Sequence, residues 1–138
     1  MKKAITITVV FFTLTSISYK SFGQFDLDVT NNSASCTYNI VIEWDDGNGN
    51  CSTSSSILIP SSSFQTITNP LTSGTALYIT ITDNTCGNVF TIGDCSPWTC
   101  ASCSLPCCYV YNCLGCGTPI TFQFTTGIFP NNAQLLIQ

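Results

Sequence analysis

The chain has 138 residues, with ten Cys, seven acidic residues, three basic residues and no His. Only 7% of residues are charged while 44% are hydrophobic, a balance that fits a small exported domain held by disulfides. It leaves no basic face for nucleic acid, and without His there is no Ser-His-Asp triad, Cys-His pair or His-ligated metal.

Residues 1–23 predict a secretory signal peptide. Lys2 and Lys3 precede an uncharged run from Ala4 to Ile17, which is too short to cross a bilayer as a helix. Ser21 and Gly23 supply the small residues of a cut before Gln24; a cut after Ser18 is the alternative. Short Lys-Lys starts of this kind resemble bacterial export signals. No Cys follows the apolar run and no second long apolar run appears. The expectation is a secreted chain, extracellular or at the cell surface, with the periplasm as the alternative and no membrane span.

A cut at Gln24 would remove Lys2, Lys3 and Lys20, so residues 24–138 hold no Lys, Arg or His. Their side-chain charges are Asp26, Asp28, Glu43, Asp45, Asp46, Asp83 and Asp94. Salt bridges between side chains cannot form there, and no cationic clamp can hold a phosphate. Ser, Thr and Asn make up 40 of these 115 residues, so the expected surface is hydroxyls and amides. Few charges give weak colloidal repulsion, which favours self-association or contact with an extracellular glycan or protein.

Strand patterns recur along residues 24–138 and helical periodicity is absent. Phe25 to Val29 alternates. Tyr38, Ile40, Ile42 and Trp44 share one face of the next run, and that face is assigned to the core. Ser63 to Thr68, Leu77 to Ile81, Val89 to Ile92, Ile120 to Phe124 and Ala133 to Ile137 follow. Gly, Pro, Asn and Ser clusters separate them at 45–50, 60–62, 69–74, 115–119 and 127–132. The pattern predicts an all-β fold: one small antiparallel β-sandwich of immunoglobulin-like size over residues 24–138. A Cys-rich excursion over 93–118, a loop or miniature subdomain, interrupts it.

Ten Cys behind an export signal read as five disulfides drawn from Cys36, Cys51, Cys86, Cys95, Cys100, Cys103, Cys107, Cys108, Cys113 and Cys116. Spacing does not fix the pairing. Cys36, Cys51 and Cys86 are three in number, so at least one must pair into the dense block at 95–116. If Cys107 and Cys108 lie in a strand, they point to opposite faces and staple different neighbours. The rival is zinc on Cys100, Cys103, Cys113 and Cys116, two Cys-x-x-Cys pairs of the kind that surround a tetrahedral ion. The export signal favours disulfides, and no cofactor is expected.

Asp46, Asn48 and Asn50 alternate as calcium ligands do, but Cys51 and Ile57 stand where an EF-hand needs Gly and Glu. A hairpin turn with Asp-Gly and Asn-Gly is the competing reading. Trp98, Tyr109 and Tyr111 are candidate ligand-binding aromatics on the Cys-rich block, or else its small core. Asp83 and Asp94 are a candidate carboxylate pair for hydrolysis; as turn residues they need no catalytic role. The expectation is a non-enzymatic β-domain with a structural or binding role at the cell surface or in an extracellular assembly. A glycan- or protein-binding module using the Cys-rich loop, a toxin or inhibitor, and an Asp-dependent hydrolase are the alternatives.

Overall fold

The computed structural model describes residues 23–93, 106–116, 119–127 and 131–138; Asp94, Cys95, Trp98, Cys100 and Cys103 lie outside them. Among the described residues ten strands follow in order: β1 (Leu27–Asn31), β2 (Tyr38–Asp45), β3 (Cys51–Thr53), β4 (Ile57–Ile59), β5 (Ser63–Ile67), β6 (Thr75–Asp83), β7 (Val89–Gly93), β8 (Cys108–Asn112), β9 (Pro119–Thr125) and β10 (Ala133–Ile137). A single turn of 3₁₀ helix, Leu114–Cys116, joins β8 towards β9.

The strands form two sheets packed face to face. One runs β5-β1-β10-β9-β8; the other runs β3-β2-β6-β7, with β4 also paired to β2. Period-2 alternation builds the interior, because successive side chains in a strand leave opposite faces. Tyr38, Ile40, Ile42 and Trp44 are fully buried, as are Ile79 and Ile81 of β6. Leu27, Val29, Phe122 and Leu135 meet them from the other sheet within the same core. The edge of Tyr38 meets the ring of Phe122 at 5.4 Å and 84°, the T-shaped contact that aromatic quadrupoles favour.

Three features depart from the sequence expectation. The sandwich is antiparallel except at β1 and β10, which pair in parallel from Leu27↔Ala133 to Asn31↔Ile137. The last strand enters between β1 and β9, and its antiparallel register with β9 sets its direction against β1. Secondly, β3 and β4 are strands, sharing β2 as partner at its two ends. Ser54 spans the gap between them: its amide donates to the Ile42 carbonyl, and its hydroxyl accepts from the Ile42 amide, each at 2.9 Å. Thirdly, the Cys-rich excursion is not irregular throughout. Residues Cys108–Asn112 form β8, the edge strand beside β9, from Cys108↔Gln123 to Asn112↔Pro119.

Each lateral side of the sandwich has a crossing between sheets. On one side the Pro60–Ser62 corner carries the chain from β4 to β5; on the other the chain leaves β7 and returns as β8. There the Gly93 amide donates to the Pro106 carbonyl at 3.2 Å, tying the edges of the two sheets together.

Candidate functional site

The densest polar cluster lies where β6 ends. Asp83 is fully buried. One carboxylate oxygen accepts the amides of Thr85 at 2.7 Å and Cys86 at 3.1 Å, closing the turn towards β7. The other accepts a short hydrogen bond from the Tyr111 hydroxyl on β8. Tyr111 is buried, its ring nearly parallel to Phe122 at 5.5 Å and tilted against Phe90 at 4.5 Å. Burial first, and the hydrogen bond to Asp83 second, push the Tyr111 hydroxyl far above the ordinary tyrosine range. Burial also raises the Tyr38 hydroxyl, with the Tyr111 and Ser33 hydroxyls acting against it. The Tyr38 hydroxyl and Trp44 Nε1 have no well-aligned hydrogen-bond partner among the described residues.

Two disulfides flank this cluster. Cys36 bonds Cys116 and Cys86 bonds Cys113, with Cα separations of 5.5 and 6.1 Å, within the usual range of about 4.4–6.8 Å. Cys51 is bridged as well. Ligand atoms of Cys36, Asp83, Cys113 and Cys116 lie within 4.8 Å of one another, all buried. The three sulfurs are spent in disulfides, and zinc needs thiolates. Of the zinc set read from sequence, Cys113 and Cys116 are therefore bonded to Cys86 and Cys36; Cys100 and Cys103 fall outside the described residues. The arrangement is a knot: two bridges and one carboxylate fasten the end of β8 and its 3₁₀ turn to β6 and to the start of β2.

The Asp45–Asn50 segment is the tip of the β2–β3 hairpin. Gly47 and Gly49 take φ of 75° and 93°, the left-handed values for which glycine is suited. One Asp46 oxygen accepts the amides of Asn48 at 2.7 Å and Asn50 at 3.0 Å; the other accepts the Asn50 side-chain amide at 2.6 Å. These donors, led by the Asn50 side chain, hold the Asp46 carboxyl below its ordinary value. The three calcium candidates do come together, but Asn50 presents its NH₂ to Asp46. The carboxylate serves the turn.

The candidate aromatics separate. Tyr111 belongs to the core and Trp98 is outside the described residues. Tyr109 is 41% exposed, resting on Phe90 at 4.8 Å. Of the carboxylate pair, Asp83 is engaged as above and Asp94 is outside the described residues.

The remaining candidate is the lateral surface. Among the described residues nothing pairs with the outer edge of β5 or of β8. Phe64 on β5 and Val110 on β8 are each 63% exposed, and Leu58 and Val89 extend the two sides. Beside β5 lies an open groove of about 300 Å³ with Asn32, Ser62 and Phe64 in its wall. Alternation in Ser63 to Thr68 puts Phe64 and Thr66 on one face, and the structure shows that this face is the outer one; Cys108–Asn112 alternates too weakly to predict β8. Comparison with protein-family models, with curated proteins and with solved structures finds no match to this chain.

Proposed function

We propose that this chain is a secreted, non-enzymatic, disulfide-stapled β-sandwich that serves as a structural unit in an extracellular assembly. Copies associate through the lateral edges. The observation that carries the reading is the pair of edge strands, β5 and β8, each unpaired on its outer side among the described residues, with outward Phe64 and Val110. Soluble β-proteins protect such edges with Lys, Pro or inward charges, and residues 24–138 contain no Lys or Arg. The two edges differ in sequence, so a contact of β5 on one copy with β8 on the next is heterologous and propagates as an open chain. The disulfides fit an oxidising compartment, and no helix among the described residues is long and apolar enough to cross a membrane. A non-enzymatic role is supported by Asp83, whose carboxylate is committed to three donors.

Sedimentation velocity over a concentration series tests this. The wild type is expected to form oligomers that grow with concentration, and Phe64→Lys or Val110→Lys to shift it to monomer. Both positions are solvent-exposed, so circular dichroism should stay unchanged. A wild type that remains monomeric throughout the series removes the assembly role.

A further inference from the structure

Cys107 and Cys108 are both exposed and unbridged, and their sulfurs face each other at 3.0 Å. Strand alternation would separate them, but β8 begins at Cys108 and Cys107 sits in the bend before it. The backbone around the pair is fixed from both sheets. The Phe124 amide of β9 donates to the Cys107 carbonyl at 2.9 Å, and Gly93 of β7 donates to Pro106 at 3.2 Å. The other cysteines of the described residues, Cys36, Cys51, Cys86, Cys113 and Cys116, are already bridged. Among the described residues, each of the two thiols therefore has the other as its nearest available partner.

We propose that Cys107 and Cys108 form a reversible vicinal thiol–disulfide couple, a surface redox site that exchanges with low-molecular-weight disulfides. One thiolate attacks a sulfur of the disulfide, forming a mixed disulfide and expelling one small thiol. The adjacent thiolate attacks the protein sulfur of that mixed disulfide, closes the Cys107–Cys108 bond and expels the second small thiol. The protein loses two electrons and two protons; the oxidant gains both as two thiols.

The couple differs from the bridges of the knot in geometry. Consecutive Cα atoms are about 3.8 Å apart across a trans peptide, below the usual disulfide span of about 4.4–6.8 Å. The Cys36–Cys116 and Cys86–Cys113 pairs sit inside that span and are buried at three of their four residues. Strained and exposed disulfides are the more easily reduced, so the vicinal bond opens first.

The test uses the full secreted chain equilibrated in graded ratios of reduced and oxidised glutathione. Samples are quenched in acid, labelled with N-ethylmaleimide, digested with pepsin and read by mass spectrometry. Under oxidising ratios a peptide linked internally between Cys107 and Cys108 is expected. Under mild reduction, two labels should enter at these residues while Cys36–Cys116 and Cys86–Cys113 stay linked. In Cys107→Ser, an exposed change whose folding is checked by the retained Cys36–Cys116 link, Cys108 should hold about tenfold more glutathione adduct than in the wild type, since no neighbouring thiol expels it. Three results overturn the proposal: a link from either residue to another cysteine, opening only together with the knot, or equal adduct in variant and wild type.

Discussion

Asp83 is a fully buried carboxylate in a region of chain that offers it no cation, since residues 24–138 lack Lys, Arg and His. Hydrogen-bond donors take the place of a counter-charge: two backbone amides and the Tyr111 hydroxyl. Removing a donor from a buried acceptor costs its desolvation, about 1–3 kcal/mol. Tyr111→Phe keeps the ring against Phe90 and Phe122 and removes only the hydroxyl. It should lower the unfolding free energy in urea at neutral pH by about 1–3 kcal/mol; a loss under about 0.5 kcal/mol would mean the bond adds nothing to stability. The pH dependence has a definite sign. Tyr111 and Tyr38 are acids whose values are raised above 10.0 in the fold, so the fold favours their neutral forms. The associated stability is complete below the unfolded tyrosine value and is lost as pH rises through the folded ones. Circular dichroism should register unfolding only on the alkaline side of 10.0, coincident with tyrosinate absorbance. Tyrosinate absorbance that is absent from Tyr111→Phe and that rises earlier, with the fold intact, would contradict the buried pair. Asp46 works in the opposite sense: its value is lowered from 3.8, so its contribution holds above that pH and fades as pH falls below it.

At the scale of elements, turns and close approaches govern where the strands can begin and end. Gly74 precedes β6 at φ 91°, its carbonyl accepting the Phe25 amide and its amide donating to the Gly23 carbonyl. A Cβ there would collide with the backbone of Asp45 and Asp46. Gly87, in the β6–β7 turn, has φ 71° but open space around the corresponding position. Gly87→Ala therefore carries only the left-handed penalty, about 1–2 kcal/mol. Gly74→Ala adds a backbone clash and should cost more than about 3 kcal/mol. Equal melting-temperature losses in the two variants would show that the clash is relieved by local movement. The same contrast explains what could be read in advance. β2, β6, β9 and β10 bury every second residue, and their alternation stands plainly in the sequence. β3, β4 and β8 lie at sheet edges, and of their residues only Ile59 and Tyr111 are buried. Such strands have little apolar alternation to detect, because one flank and most of one face meet water. The parallel pairing of β1 with β10 joins residues about a hundred positions apart, and no local pattern encodes it. The hairpin role of Asp46 was legible in Asp-Gly and Asn-Gly. The partnership of Asp83 with Tyr111 was not, since it depends on how β8 docks.

For the molecule as a whole, the two bridges of the knot perform different amounts of work on the unfolded chain. Cys36–Cys116 joins residues 80 apart; Cys86–Cys113 joins residues 27 apart. In the chain-entropy model the stabilisation grows with the logarithm of loop length, giving about 4.5 kcal/mol for the longer closure and about 3.6 kcal/mol for the shorter. Nested loops share part of that entropy, since Cys86 and Cys113 both lie inside the larger loop. The ordering survives the sharing, because removing the outer bridge frees the start of β2 from the end of the Cys-rich block, whereas removing the inner one frees a single crossing from β6 to β8. The double variant Cys36→Ala/Cys116→Ala should thus lose about 1 kcal/mol more than Cys86→Ala/Cys113→Ala when both are unfolded in urea. Measuring m in the same experiment separates the two accounts of that difference. If the bridge acts by restricting the unfolded chain, its removal raises m as the denatured state expands. A larger loss in the Cys86/Cys113 variant, with m unchanged in both, would place the stabilisation in the native packing around Asp83 and Tyr111 instead.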